Sequence, residues 1–315
     1  MKKFWRLAAT ATLAISMLAA CGAEKEIEQQ EQNITVEENN DTAFPVTVTD
    51  ALGKEITLEE APDRIVSLTP SNTEILFELG LDEEVVGVND NDNYPEQVAD
   101  KTRIGGIEYN IETIISLQPD VVFAHESSMF TFESAIEQLE AAGVTVFVVD
   151  NAETFDETYE TIEVIGTLTG KDEEADKIIA SIQSKLADIQ AKLQGVSPKT
   201  AFMVVGASPD IYVVGQNTFM NEMLKEINVD NAVKEEGWPL YSAEQFITAN
   251  PDSIVFTYAG DDETIKNNRA FAVMTAVQNN ALTVVDGDTT SRQGPRLAEG
   301  VESLAKAIYP EVFND

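Results

Sequence analysis

The sequence offers few of the side chains that catalyse reactions or hold metal ions. Its 315 residues include one histidine, His125, and one cysteine, Cys21. A typical zinc or copper site needs several such ligands, so neither site is expected. The sequence also lacks the Gly-x-Ser-x-Gly elbow, the Walker loop and the Gly-x-Gly-x-x-Gly fingerprint. We therefore predict that the protein is not an enzyme and carries no metal or cofactor of its own.

Aromatic and polar side chains instead follow several short apolar segments, a pattern that favours ligand binding. Ligands of open α/β sheets bind beyond the carboxyl ends of the strands. Flat aromatic surfaces with a few fixed polar groups suit a large ligand. Each aromatic side chain alone could equally pack in a core, and His125 could simply form a hydrogen bond. The predicted ligand-binding residues are Tyr94, His125, Tyr212, Trp238, Asp288 and Arg292.

One segment of the sequence occurs twice, with every matched position 132 residues apart. Residues 110–120 (NIETIISLQPD) and 242–252 (SAEQFITANPD) share a helix cap, an acid two residues later and a Pro-Asp pair. The matched acids, Glu112 and Glu244, fall in the first turn of their helices, where a carboxylate interacts well with the helix dipole. Their placement on two matching units also suits them to contact a symmetric basic partner.

These residues need a scaffold, and short apolar strands alternate with helices on both sides of the repeat, as in a largely parallel sheet. Between the halves, residues 171–195 carry apolar side chains at three-and-four spacing, which predicts one long amphipathic helix. We predict an α/β fold of two similar lobes with mainly parallel sheets bridged by this helix. The predicted boundaries are an N-terminal lobe over 44–170, a linker helix over 171–195 and a C-terminal lobe over 196–315.

The N-terminal residues have the pattern of an export signal followed by a lipid-attachment site. A basic start and a short apolar run lead into Leu-Ala-Ala-Cys, which resembles the bacterial lipobox. We predict a signal peptide over residues 1–20, lipidation of Cys21 and a disordered acidic tether over 21–43. The formal net charge of −36 excludes nucleic acid as a favoured partner, because nucleic acid binding needs basic surface.

The sequence resembles the substrate-binding lipoproteins of ABC importers that serve cobalamin, ferric siderophores and haem. The resemblance covers about residues 64–309, and its motifs are RIVSLTPSNTE from Arg64, NIE from Asn110, LQPDVV from Leu117, WP at Trp238, SAE from Ser242 and RQGPR from Arg292. It implies a monomeric receptor, anchored by lipid on the outer face of the cell membrane, with a rigid helix between its lobes. It also implies that Glu112 and Glu244 dock onto the dimeric permease, which works with its ATPase.

The resemblance leaves the transported ligand open. Tyr94, Trp238, Asp288 and Arg292 match pocket positions of the cobalamin binders, whereas the loop 103–109 has glycines where a cobalamin binder carries a tryptophan. A ferric siderophore would favour positive charge in the pocket, which Arg292 and Arg296 could supply. We expect a cobalamin or another corrinoid, with a ferric siderophore or haem as alternatives. A surface enzyme or an adhesin is the alternative of another class.

Overall fold

The computed structural model describes residues 44–313. The predicted signal peptide, the lipidation site at Cys21 and the tether all lie outside the described residues. The described chain opens with a hairpin, in which β1 (Val46–Thr49) pairs antiparallel with β2 (Glu55–Leu58). Gly53 turns the chain between them at a positive φ of 76°, which glycine adopts without strain.

The first lobe contains one fully parallel sheet of five strands in the order β5-β4-β3-β6-β7. Its central strands are buried on both faces, which explains why they read as continuous apolar runs rather than alternating ones. The strands are β3 (Ile65–Ser67), β4 (Val85–Val88), β5 (Thr102–Arg103), β6 (Val121–His125) and β7 (Val146–Val149).

Within the described residues, the first lobe has four helices. The first starts at Pro70, whose fixed φ suits the first helical position. The third starts at Met129, directly after a 3-10 turn. The helices are α1 (Pro70–Glu78), α2 (Ile111–Ser116), α3 (Met129–Ala141) and α4 (Phe155–Thr169), with 3-10 turns at Glu96–Asp100 and Glu126–Ser128.

The second lobe has a mixed six-stranded sheet. Strand β8 pairs in parallel with β10 and with β12, and β12 pairs in parallel with β13. Strand β9 runs antiparallel to β8, and β11 in turn runs antiparallel to β9. Strands β9, β10 and β11 are each only two or three residues long. The strands are β8 (Lys199–Gly206), β9 (Ile211–Val213), β10 (Val229–Asn231), β11 (Leu240–Tyr241), β12 (Ser253–Phe256) and β13 (Leu282–Val284).

The helices of the second lobe include two long enough to bury a continuous apolar face, α6 and α11. The helices are α6 (Phe219–Glu226), α7 (Ala243–Ala249), α8 (Asp261–Asn267), α9 (Thr275–Gln278), α10 (Gly287–Ser291), α11 (Leu297–Ile308) and α12 (Pro310–Phe313), with a 3-10 turn at Arg269–Val273. No helix within residues 44–313 is long and apolar enough to cross a membrane.

The predicted long helix, which we number α5 within the chain order, is present as Asp172–Leu193. Its buried positions are the seven residues of the predicted stripe: Ala175, Ile178, Ile179, Ile182, Leu186, Ile189 and Leu193. The stripe packs against α4 from the first lobe and α11 from the second. Gly166 of α4 permits the close approach, because a Cβ there would meet the Ala175 methyl at 2.8 Å. One continuous apolar core therefore runs from the first sheet through α5 to the second sheet, and the predicted fold is confirmed.

The repeated segment forms the same local structure in both lobes. Asn110 and Ser242 each accept a hydrogen bond from the third backbone N–H of the helix that follows, as N-caps do. The aspartate of each Pro-Asp pair binds the chain entering the neighbouring strand. Asp120 accepts from the backbone N–H of Arg64 at 2.9 Å, and Asp252 accepts from the backbone N–H of Thr200 at 2.8 Å. The repeat thus encodes a helix start and a clamp on the adjacent strand.

Candidate functional site

The predicted ligand-binding residues lie at or just beyond the carboxyl ends of strands in both lobes. Tyr94 follows β4, His125 ends β6, and Asp288 lies in α10 after β13. Tyr212 lies in β9, which starts where β8 ends, and Trp238 precedes β11. The carboxyl edges of open α/β sheets are the usual ligand-binding edges, so each lobe presents its candidate residues on the expected side.

Large apolar side chains are unusually exposed on this edge of the second lobe. Trp238 is 50% exposed and Tyr212 is 44% exposed. The register of β9 and β11 places Leu240 directly opposite Tyr212, and both point to the solvent face while their strand neighbours are buried. Directly opposite side chains on paired strands lie within contact distance. Tyr212 and Leu240 therefore form an apolar surface beside Trp238, and such surfaces mark binding sites.

The first lobe also has exposed apolar residues at its carboxyl edge. Two of them, Phe130 and Ile107, were not among the residues predicted from the sequence. Phe130 at the start of α3 is fully exposed, and Ile107 lies in the glycine-containing loop before α2. A ring contact joins the two segments, because Tyr109 and Phe132 stand edge to face with centroids 4.4 Å apart. Nothing in the sequence distinguishes an exposed Phe130 from a core phenylalanine, since exposure depends on the tertiary fold.

His125 is not among the exposed groups. Its side chain is buried at 3% exposure, and Nδ1 accepts a 3.2 Å hydrogen bond from the backbone N–H of Ser127. Burial lowers the pKa of His125 to about 4, with Glu126 acting weakly in the opposite sense. The ring is therefore neutral at physiological pH.

An ion-pair network connects the lobes beside Tyr94. The buried carboxylate of Glu74, on α1, accepts from Arg292 Nη1 at 2.7 Å and from Arg296 Nη2 at 2.6 Å. A third hydrogen bond, from Arg296 Nε to Glu74 Oε2, measures 2.8 Å. The guanidinium carbon of Arg296 also lies 4.1 Å from the centroid of the Tyr94 ring, as in a cation–π contact.

The polar end of the network includes Asp288 and Asn93. Arg292 Nη2 lies 2.9 Å from Asp288 Oδ1, and Asn93 joins the two by accepting from Arg292 at 2.8 Å and donating to Asp288 at 2.7 Å. The two arginine charges are therefore matched by the carboxylates of Glu74 and Asp288. The positive charge that a ferric siderophore would favour is therefore already paired at Arg292 and Arg296.

A second buried polar cluster supports the loop that carries Asn93 and Tyr94. Asp92 accepts from the Thr73 hydroxyl at 2.9 Å and from the backbone N–H of Asn89 at 2.8 Å. Its other carboxylate oxygen has no hydrogen-bond partner within the described chain. Burial raises the pKa of Asp92 from the ordinary 3.8 to about 6, although these hydrogen bonds and the nearby arginines lower it.

The matched acids Glu112 and Glu244 are exposed in the first turns of α2 and α7. Over residues 44–313, neither makes an ion pair of its own. A helix that connects parallel strands runs antiparallel to them, so both acids face the carboxyl edges where the aromatic residues lie. Within the described chain, Glu112 and Glu244 therefore each present a carboxylate without an ion pair on the same side as the candidate ligand residues of its lobe.

A cavity of about 730 Å³ lies elsewhere, at the amino ends of β12 and β13 in the second lobe. Its polar lining includes Lys199, Lys306 and Asp252. Lys199 pairs with Glu311 at 2.7 Å, and Lys306 pairs with Glu302 at 2.9 Å. Because this cavity lies at the opposite strand ends and its charges are satisfied, we place the candidate site at the aromatic edge instead.

Comparison with known proteins agrees with this geometry. The periplasmic binding protein family model matches residues 65–289. A relative from Bacillus subtilis, named an uncharacterized ABC transporter substrate-binding lipoprotein, YvrC, is 42% identical over the whole length of both chains. A protein of Halobacterium salinarum named cobalamin-binding protein is 26% identical over 94% of this chain and 82% of its own.

Two solved structures share the fold. A possible iron-binding, periplasmic solute-binding protein from Staphylococcus epidermidis is 36% identical, with a TM-score of 0.74 over 79% of this chain and 100% of its own. A periplasmic haem-binding protein from Pseudomonas aeruginosa is 25% identical, with a TM-score of 0.71 over 80% of this chain and 94% of its own.

The structure has two α/β lobes joined by one helix, and the candidate binding residues lie at the carboxyl edges of both lobes. The chain belongs to the periplasmic binding protein family. Within that family it is the substrate-binding protein of an ABC transporter, the class to which its Bacillus relative also belongs.

Proposed function

We propose that the protein captures a cobalamin or a related corrinoid between its lobes and delivers it to an ABC permease. The observation that carries this proposal is the set of exposed aromatic side chains at the carboxyl edges of both lobes, with Tyr94 on one and Tyr212 and Trp238 on the other. Such surfaces suit a bulky, largely apolar ring system. Asp288 and Arg292 supply the polar contacts. His125 lies beneath this surface at 3% exposure, so a contact between its ring and the ligand stays a prediction.

The charge of the site favours a corrinoid over anionic chelates. Both arginines beside Tyr94 are already paired with carboxylates, so an anionic ligand finds no free cation among them. The cobalamin-binding name of the Halobacterium relative supports the same choice. A ferric siderophore or haem is the second candidate, supported by the names of the Staphylococcus and Pseudomonas proteins.

Fluorescence of Trp238 tests the proposal. The sequence has two tryptophans, Trp5 and Trp238, and Trp5 lies in the predicted signal peptide. Titration of the mature protein with cyanocobalamin should quench this single tryptophan to saturation with one site. Ferric hydroxamates, ferric catecholates and haem serve as the competing ligands. If one of these ligands quenches the fluorescence and cyanocobalamin does not, the ligand belongs to that class and is not a corrinoid. If none of them changes the fluorescence, the proposed site is wrong.

For delivery, we infer that Glu112 and Glu244 contact basic residues of a dimeric permease whose ATPase powers import. The exposure of both carboxylates, one on each lobe and neither ion-paired within residues 44–313, supports this role. The proposed lobes are residues 44–170 and 196–315 about the linker 171–195, and each sheet lies wholly within one of these ranges. We also expect a monomer, which the molar mass from light scattering can test.

We further propose that lipid on Cys21 holds the protein at the outer face of the cell membrane. The Leu-Ala-Ala-Cys motif supports this anchor, as does the lipoprotein name of the Bacillus relative. Replacing Cys21 with Ala should move the protein from the membrane fraction to the soluble fraction. Retention of the variant in the membrane would contradict the anchor. The proposed receptor releases its ligand unchanged, so recovery of altered cyanocobalamin after incubation would favour the enzyme alternative.

A further inference from the structure

Glu74 is a buried acid whose partners all come from the other lobe. Its side chain is 1% exposed, and the carboxylate accepts three hydrogen bonds of 2.6 to 2.8 Å from Arg292 and Arg296. Charge-assisted hydrogen bonds of this length are the strong ones. The arginines themselves are 11% exposed, so they lie between the buried carboxylate and the surface that carries Tyr94.

The pairing of Glu74 with the two arginines sets the net charge of the cleft beside Tyr94. Without Glu74, the one ion pair left to the two guanidinium groups would be that of Asp288 with Arg292. Arg296 would keep only the weaker attraction of the carboxylates of Asp286 and Glu299, and it would present excess positive charge next to the aromatic surface. Arginine stays protonated in proteins, so the surroundings must supply the compensating charge.

We infer that Glu74 is a specificity-determining residue, an internal counter-ion that cancels the arginine charge so that the cleft selects a neutral ligand over an anionic ligand of similar bulk. The inference rests on the proposed function, because it requires the ligand to bind between the lobes beside Asp288 and Arg292. It goes further than that function because it attributes the selectivity for ligand charge to Glu74, a residue that the ligand does not contact.

The size of the effect follows from Coulomb's law. Near a protein surface, removing a unit charge about 4 Å from a ligand anion changes the affinity for that anion by about tenfold or more. A tenfold change in affinity corresponds to about 1.4 kcal/mol. Replacing Glu74 with Gln, which keeps the shape and removes the charge, should therefore raise affinity for anionic ligands about tenfold or more relative to neutral ones.

The test measures a ratio of affinities in four forms of the purified protein. The variants are Glu74→Gln, Arg296→Gln and the double variant, alongside the original protein. A neutral ferric trihydroxamate and an anionic ferric tricatecholate are ligands of similar bulk that differ in charge. Neutral cyanocobalamin and anionic haem form a second pair, which differs in size as well as in charge. Affinities come from Trp238 fluorescence at low and high salt.

The charge argument predicts opposite signs for the single variants. Glu74→Gln should shift the anionic-to-neutral affinity ratio upward about tenfold, Arg296→Gln should shift it downward, and the double variant should return it toward the original value. Salt should reduce both shifts, because it screens exposed charge. An unchanged ratio in both single variants, or equal weakening of every ligand, would overturn the inference and leave Glu74 a structural residue.

The outcomes separate this inference from the proposed function. If the original protein binds at least one ligand but the substitutions leave the anionic-to-neutral affinity ratio unchanged, only the role of Glu74 is refuted. If no form binds any of the four ligands, the proposed site fails and the inference falls with it. Circular dichroism and thermal unfolding check each variant. If Glu74→Gln does not fold, Arg296→Gln and the double variant still show in which direction charge shifts the anionic-to-neutral affinity ratio.

Discussion

Reversing the charge of both docking acids, Glu112→Arg with Glu244→Arg, should abolish uptake while leaving ligand affinity intact. Both side chains are exposed in first helical turns, so their structural contribution is limited to the helix-dipole interaction of about 0.3–1 kcal/mol each. The corresponding fall in melting temperature is about 2–4 °C per kcal/mol for a protein of this size. The protein should therefore stay folded and bind its ligand normally.

The cost to docking should be far larger. If each acid is buried against the permease on docking, losing one partner of such a hydrogen-bonded charge pair costs about 2–5 kcal/mol, and reversal adds repulsion between like charges. Two such losses, one on each lobe, exceed 4 kcal/mol, which corresponds to more than a thousandfold weaker docking. Single reversals remove one contact and should give intermediate uptake.

The assay is uptake of labelled cyanocobalamin by cells in which this protein is the sole receptor, compared with the affinity of each purified variant. Glu137→Arg with Glu163→Arg is the matched control, because both acids are exposed on helices of the first lobe and the change in net charge is the same. Normal uptake by the double docking variant would refute the docking assignment. Equal loss in the control would indicate a general charge effect instead.

Three further predictions concern stability. Ile182→Ala, in the buried stripe of α5, should lower the free energy of unfolding in urea by about 2–5 kcal/mol, whereas Ser184→Ala on the exposed face of α5 should change it little. Asp120→Asn and Asp252→Asn should each cost about 1–3 kcal/mol, because each weakens an equivalent clamp; a cost confined to one lobe would count against the structural repeat. The raised pKa of Asp92 means that the folded protein holds a proton the unfolded chain has lost between pH 4 and 6, so stability from this group falls as pH rises through that range. Asp92→Asn should remove this contribution and be at least as stable as the original protein at pH 8 in thermal unfolding; a large loss there would contradict the assignment.

The features predicted from sequence were those with a local or periodic signal. The seven apolar positions of α5 repeat at helical spacing, and all seven are buried. The 132-residue repeat was readable because capping and the Pro-Asp clamp use residues close together in the sequence. Parallel strands buried on both faces left continuous apolar runs, which located the central strands of both sheets.

The features that were missed depend on contacts between distant residues. Strands β9, β10 and β11 are two or three residues long, too short for a periodic signal. The pairing of Glu74 with Arg292 joins residues 218 positions apart, and no local pattern indicates it. The exposure of Phe130 and the burial of His125 are likewise set by packing. Residue type alone suggested a buried phenylalanine and an exposed histidine.

A crystal structure of the protein bound to cyanocobalamin tests the central claim most directly. The claim predicts that the corrin ring lies between the lobes, against Tyr94 on one side and Trp238 on the other, with Asp288 and Arg292 at its polar edge. The pair between Arg292 and Glu74 should remain intact in the complex. A corrinoid bound anywhere else on the protein, or crystals grown at saturating ligand with an empty cleft, would contradict the account.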